Sequence, residues 1–372
     1  MKIYVWLPYS FNVKRWGDLS IPLLAHGLVR DWVASGADLC FLVTQKHQDL
    51  KSGWFPPGCE FLDVGAHYIN GRLNFTDIKA LKDVSPKAVV FNFEPINASM
   101  LFAAFTKSYA FSRPTIVNYV LFSPLEGDID DRTRLENAVS VITYPTIFNG
   151  PASENQFRTL CNSYVKGSLM SRAKQATIPL GIECDQIDEF KQPRVFGDTF
   201  KFLYGGRLSA HKEVERTIKL VGDLYKHGHK VEYTIQTSGV NSCKKLEEWA
   251  KLYPFVRPIY SAPRSEFYKN AHTHHAFICA SKIETFGLSF FEMMYAGMIG
   301  IFYNRDWQQD LLPPVYKVNS DLEAYTLLRH VVTKKESWDK MPGWIRENMN
   351  SQTLNASVLD TVRGWAPLEV IE

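Results

Sequence analysis

The stretch AFICASKIETFGLSFFEMMYAGMIGIF, residues 276–302, reads as a buried strand, a loop, a helix opening near Gly287, a glycine turn and a second strand. Two strands joined through a helix must run parallel, so this one stretch places the chain among α/β proteins with parallel sheets. The first amides of a helix lack intrahelical partners and carry about half a positive charge, which makes the mouth at Gly287 a ready anion site. Glu284 stands just before that mouth. Glu292 stands about 7 Å inside the helix, at about 1.5 Å of rise per residue. Glu284 also fits a plain capping role, because acids near a helix start are stabilised there. Glu292 fits less easily as a surface residue: LSFFEMMYAGM is apolar on nearly every side, and a carboxylate buried without partners is costly, so a polar group must meet it.

The same alternation runs outward along the chain. KIYVWLPY (2–9), DLCFLVT (38–44), AVVFNF (88–93) and TIVNYVLF (115–122) are expected strands, with helices near 18–35, 76–83 and 97–110. The pattern restarts with a strand at FKFLYGGRL (200–208), a helix over 212–227, a strand at VEYTIQT (231–237), a helix over 242–252 and a strand near 255–260. Between the halves, IPLGIECDQIDEFKQPRVFGD (178–198) is rich in Gly, Pro and charge and reads as a linker. Two doubly wound domains are expected, 1–190 and 191–345. A helical tail, 346–372, packs either on the second domain or back on the first.

Composition bounds the function. With 372 residues, 45% hydrophobic and 22% charged, the chain is globular and long enough for two or three domain-sized units. The start lacks the apolar core of a signal peptide, and no run of about 18 apolar residues occurs, so a soluble, cytoplasmic protein is expected. Six scattered cysteines without a CxxC pair suggest reduced thiols and no structural zinc. A net charge of +3 suits anionic ligands but is far from the profile of a dedicated nucleic-acid binder.

A second cluster lies in YGGRLSAHKEVERTIKLV (204–221). Two glycines, Gly205 and Gly206, end a strand, Arg207 follows, and Lys212 opens the next helix. This sets a guanidinium and an ammonium above the carboxyl end of a sheet, where open α/β sheets bind ligands. Arginine's flat fork of donors matches phosphate oxygens. A solvated Arg and Lys on a routine turn is the plainer alternative. Taken with the two glutamates, the cluster suits a diphosphate flanked by hydroxylated groups, which describes a nucleotide sugar.

These residues resemble the GT-B glycosyltransferases, in particular the retaining family 4 group. The resemblance rests on ETFGLSFFE with its two glutamates, on GGRLSAHK, and on the IPLGIE turn (178–183) before the second domain. It implies two Rossmann-like domains facing across a cleft, a donor held by the second domain and a final helix returning to the first. Carried over by position, Gly206, Arg207 and Lys212 serve the diphosphate, Glu284 the donor sugar hydroxyls and Glu292 the ribose. Phe286, Gly287 and Leu288 offer backbone amides to the phosphates, and PIYSAPRSEF (258–267) lines the base pocket, with a UDP-sugar expected over a GDP-sugar. Two departures stand out. The glycine that usually follows the lysine is Glu213, an acid beside the phosphate site. The usual glycine-rich first-domain loop is reduced to SFNVKRWGDLS (10–20), where Gly17, Lys14 and Arg15 are acceptor-side candidates.

Many relatives carry a histidine near the reacting sugar carbon; the corresponding stretch here, VLFSPLEGDIDDRT (120–133), has none and offers Glu126 instead. Glu126 could attack the anomeric carbon or stabilise positive charge there, and the front-face route implied by the resemblance favours the second role. DID (128–130) fits a helix cap better than a metal pair. The histidines of AHTHHAF (271–277) lack ligand spacing, so no metal is expected. The leading reading is a retaining, metal-independent glycosyltransferase with a hydroxyl acceptor. The second is a DNA-modifying glycosyltransferase acting on hydroxymethylated bases of viral type, since basic and aromatic residues around Lys14 suit nucleic acid as they suit sugar rings. The third is a non-catalytic nucleotide-sugar-binding protein.

Overall fold

A computed structural model of the protein describes residues 1–6, 20–43, 57–69, 72–75, 81, 88–108, 114–121, 123–125, 129–165, 169, 173–308, 311–312, 316–335 and 340–366. The loop holding Lys14, Arg15 and Gly17, Glu126, and most of the helix expected at 76–83 lie outside them. The chain divides into two compact units, Met1–Gly181 with Ser351–Glu372, and Ile182–Asn350.

The first unit is built on seven parallel strands, β1 (Lys2–Trp6), β2 (Asp38–Val43), β3 (Glu60–Asp63), β6 (Val89–Asn92), β7 (Thr115–Val120), β8 (Thr146–Phe148) and β9 (Gln175–Thr177), in the order β3-β2-β1-β6-β7-β8-β9. β4 (Ala66–Ile69) and β5 (Arg72–Phe75) form a separate antiparallel hairpin that sequence periodicity did not indicate. Helices α1 (Ser20–Ala34), α2 (Ala98–Ser108), α3 (Asp131–Thr143) and α4 (Pro151–Tyr164) connect the strands. β1, β6 and β7 are almost wholly buried, as expected for parallel strands covered on both faces, and this is why they read as continuous apolar runs. Asp130 caps α3, its carboxylate accepting from the Thr133 amide at 2.8 Å.

The second unit repeats the winding. Its sheet holds β10 (Phe200–Gly205), β11 (Val231–Thr237), β12 (Val256–Tyr260), β13 (Ala276–Cys279), β14 (Ile299–Tyr303) and β15 (Tyr316–Val318) in the order β12-β11-β10-β13-β14-β15, all parallel. Helices α5 (Cys184–Asp188), α6 (Val214–Lys226), α7 (Val240–Leu252), α8 (Arg264–Thr273), α9 (Leu288–Tyr295), α10 (Asp321–Lys334) and α11 (Met341–Asn348) surround it. The helix expected from 212 opens at Val214, because Glu213 adopts a left-handed conformation (φ 48°) after a short 3₁₀ turn at Ala210–Lys212. The last helix, α12 (Ser351–Trp365), belongs to the first unit: the Trp32 indole donates to the Asn355 carbonyl at 2.8 Å, and Asn355 Nδ2 donates to Asp31 at 2.7 Å.

Residues 182–198 belong to the second unit and are strapped to it. Arg194 donates to the carbonyls of Ala271 (3.0 Å) and His274 (2.6 Å) at the end of α8, and to those of Ala296 and Gly297 (2.6 Å each) at the end of α9. Helix C-termini leave carbonyls unpartnered and partly negative, so one guanidinium satisfies two of them at once. The histidines complete the strap. His272 donates to the Ile187 carbonyl at 2.9 Å, and His275 accepts from the Lys201 amide at 2.8 Å while donating to Val195 at 3.1 Å. His274 donates from Nδ1 to the Asn270 carbonyl and pairs at Nε2 with the Thr234 hydroxyl, both at 2.7 Å.

Burial pushes the His274 imidazole down to about 4 from an ordinary 6.5 and lowers His272 and His275 as well. A folded pKa below the unfolded one means that the unfolded chain takes up the proton first. The stabilisation is therefore intact above 6.5 and is lost as pH falls toward about 4. Chemical denaturation across that window should show stability falling with pH, and His274→Gln should flatten the slope by up to about 1.4 kcal/mol per pH unit.

Candidate functional site

In the strand order of the second unit, β11 and β12 lie on one side of β10, and β13, β14 and β15 on the other. The connections therefore part between β10 and β13, and the loops leaving their carboxyl ends flank the crevice where doubly wound sheets take ligands. One loop runs from Gly205 to Glu213 and the other from Ala280 to Gly287. They are joined where the Lys282 amide donates to the His211 carbonyl at 2.8 Å.

The first loop is shaped by its glycines. A Cβ on Gly205 would lie 2.3 Å from the Phe267 ring of α8, and Gly206 has φ +153°. Glycine alone lets the strand end approach α8 this closely. The Tyr204 hydroxyl donates to the Arg207 carbonyl at 2.7 Å and the Leu208 amide to the Ser242 hydroxyl at 3.3 Å, holding the turn while the Arg207 side chain stays exposed.

Lys212 and Glu284 meet directly as an ion pair across the two loops, both side chains largely buried. The Glu284 charge reaches the strand ends as well. After burial, it is the largest cause raising Tyr204, at the end of β10, and Cys279, at the end of β13. Glu213, the acid that takes the place of a glycine, is ringed by cations: Lys282 at 3.0 Å, Arg305 at 3.2 Å and Arg216 at 3.3 Å. Burial alone would raise its carboxyl, and the Lys282 and Arg216 contacts outweigh this and hold it below the ordinary range. Its charge is thus compensated beside the loop. The positive φ at Glu213 is the conformation a glycine would take without strain.

Gly287 is the residue before α9 and is left-handed (φ 83°), with Phe290 and Trp307 packed where a side chain would stand. Phe286 is buried and stacks on Phe291, 4.7 Å between centroids, which fixes the backbone that presents the amides of Phe286, Gly287 and Leu288. Deeper in α9, Glu292 is 2% exposed. Its polar partners are Arg264, whose Nη2 reaches both carboxylate oxygens, and the Tyr268 hydroxyl at 3.1 Å. Arg264 lies in the stretch read as base-pocket lining, but its pairing with Glu292 was not foreseen. The signal available was a buried acid that required a cation, and only the docking of α8 on α9 shows which one. A recess of about 500 Å³ beside the first loop, between α6 and α7, holds the pairs Arg216–Asp321 and Lys219–Glu215, with the Lys245 ammonium 4.8 Å from the centre of the Trp249 ring.

Residues 185–312 match the family model described as glycosyl transferases group 1. The chain carries a glycosyl transferases group 1 domain on a GT-B fold. The chain is similar in structure to sucrose-phosphate synthase from Thermosynechococcus elongatus, at TM-score 0.73 and 12% identity over 98% of each chain. It is also similar to HepE of Anabaena solved with UDP-glucose, at 0.69 and 12% over 98% of this chain and 100% of the other. The pneumococcal O-GlcNAc transferase GtfA, solved with UDP and GlcNAc, matches at 0.64 and 12% over 98% and 99%. No curated protein matches the sequence. Among the described residues, no helix is long and apolar enough to cross a membrane.

The tight approach of Gly205 to Phe267 makes a direct prediction. Gly205→Ala should lower the unfolding free energy by about 1–3 kcal/mol, the usual range for overpacking, seen as a lower denaturant midpoint, and Phe267→Leu in the same chain should recover part of it. An unchanged midpoint would show that the strand end can shift freely.

Proposed function

We propose that the protein transfers a sugar, with retention of anomeric configuration, from a nucleoside-diphosphate sugar to a hydroxyl acceptor, using a UDP-sugar in preference to a GDP-sugar. The observation that carries this reading is the Lys212–Glu284 pair at the carboxyl edge between β10 and β13, beside the mouth of α9. An ammonium suited to phosphate and a carboxylate suited to sugar hydroxyls stand in contact, as the two halves of such a donor require. The UDP and UDP-glucose in the structures of similar proteins support the choice of base.

In this reading Lys212, Arg207 with Gly206, and the amides of Phe286, Gly287 and Leu288 hold the diphosphate and neutralise the charge that grows on it. Glu284 accepts from the sugar hydroxyls and Glu292 from the ribose. The bond from the anomeric carbon to the β-phosphate oxygen breaks, and its electron pair leaves with the diphosphate. The acceptor oxygen bonds to the anomeric carbon on the same face, and its proton passes to the departing phosphate oxygen. Glu126, outside the described residues, is the group proposed to stabilise the positive sugar carbon. Gly17, Lys14 and Arg15 would face the acceptor.

Donor hydrolysis and UDP binding test this without knowledge of the acceptor. Glu284→Gln should lower kcat/KM for UDP-sugar hydrolysis by about 10–100-fold, the worth of hydrogen bonds to a charged group, while UDP affinity moves by less than about twofold. Equal loss of both would sink the role of Glu284. Arg207→Ala should weaken UDP itself by about tenfold, one charge-assisted contact. Binding of UDP-sugar with no release of UDP would favour the non-catalytic alternative. Salt-sensitive transfer to hydroxymethylated DNA would identify the acceptor of the second reading.

A further inference from the structure

Glu292 is buried at 2% exposure with three hydrogen bonds already in place: Arg264 Nη2 to each oxygen, and the Tyr268 hydroxyl to Oε1. Arg264 is itself held, its Nε donating to the same tyrosine oxygen at 3.1 Å and its guanidinium lying 5.5 Å from the ring centres of both Phe267 and Tyr268. Phe267 in turn packs against Gly205 in the first loop of the site. A carboxylate offers about four acceptor positions on its two oxygens. Two on Oε1 and one on Oε2 are taken, which leaves a single position, on Oε2.

From this we infer that Arg264 is a positioning residue for nucleoside recognition: it fixes the Glu292 carboxylate so that one oxygen accepts from one ribose hydroxyl and the second hydroxyl goes unread. The inference rests on the proposed contact between Glu292 and ribose. Arg264 performs two tasks there. It supplies the opposite charge that offsets the cost of burying a carboxylate at this depth. It also locks the carboxylate plane by bonding both oxygens, so that the remaining lone pair has a set direction. Tyr268 joins the arginine and the carboxylate into one rigid unit, and a hydrogen-bonded network of this kind is costly to leave partly made.

The experiment measures binding of UDP, 2′-deoxy-UDP and 3′-deoxy-UDP by calorimetry to the full chain and to three variants. In the native protein one deoxy analogue should bind about 10–100-fold more weakly than UDP, as for a lost hydrogen bond to a charged group, and the other within about twofold. Arg264→Ala should bring that ratio to within about threefold of unity. Arg264→Lys keeps a cation for Glu292, and so keeps the fold, but loses the Nε bond to Tyr268 that holds the cation in a fixed orientation; its ratio should fall at least threefold, which keeps the inference testable where the alanine variant does not fold. Glu292→Gln separates the two levels. If the native protein shows no difference among the three ligands, or Glu292→Gln retains the full difference, the ribose contact itself is wrong. If Glu292→Gln abolishes the difference while Arg264→Lys and any folded Arg264→Ala retain it in full, the ribose contact stands and the positioning role of Arg264 is overturned. Equal penalties for the two deoxy analogues in the native protein would also overturn it, because two free acceptor positions would then be available.

Discussion

A parallel sheet must carry its chain back across one of its faces after every strand, and where the windings to left and right part, the loops cannot cover the sheet edge. In the second unit that parting falls between β10 and β13, and the chemistry of the site follows from it. Gly205 to Glu213 and Ala280 to Gly287 are neighbours because their strands are neighbours, although some 70 residues separate them in sequence. Close approach then sets the local choices. Gly205 stands where Phe267 leaves no space for a side chain, and Gly287 is left-handed with Phe290 and Trp307 packed where a side chain would stand.

The second constraint is charge. Three glutamates stand in or beside a region shaped for an anion, and each is matched: Glu213 by Lys282, Arg305 and Arg216, Glu284 by Lys212, and Glu292 by Arg264. The matching is graded by depth. Glu213 draws on several part-exposed cations, where each contact contributes little. Glu292 draws on one cation with further hydrogen bonds, because a buried carboxylate with a poor partner is costly. Arg194 applies the same rule to helix ends, one guanidinium answering the carbonyls of α8 and α9. With α9 anchored at its far end, its mouth is held in place for the loop that carries Glu284.

Much of the fold was legible because buried parallel strands are short apolar runs with long connections between them, and 88–93, 115–122, 231–237 and 276–284 announce themselves in that way. Elements that depend on distant partners were not. The three-residue strands β8 and β9 are too short for periodicity to register; the β4–β5 hairpin, by contrast, is local, and the Asn-Gly pair at 70–71 between its strands is the signal that could have found it. The linker reading of 178–198 rested on Gly, Pro and charge; Arg194 and the buried histidines make residues 182–198 an ordered part of the second unit, and nothing local predicts carbonyls some 80 to 100 residues away as their partners.

The candidate site divides along the same line. Sequence by itself determined that a helix mouth at Gly287 follows a buried strand, that Arg207 and Lys212 follow a glycine-ended strand, and that Glu292 must find a polar partner, because helix periodicity, backbone permissiveness and the cost of a buried charge are all local. Only tertiary structure decided that Lys212 pairs with Glu284, that Glu213 is neutralised by Lys282, Arg305 and Arg216, and that Arg264 is the cation for Glu292. Each of those choices depends on which helices and loops the sheet order brings into contact, and an ion pair's partner is set by distance in space, which spacing along the chain does not encode.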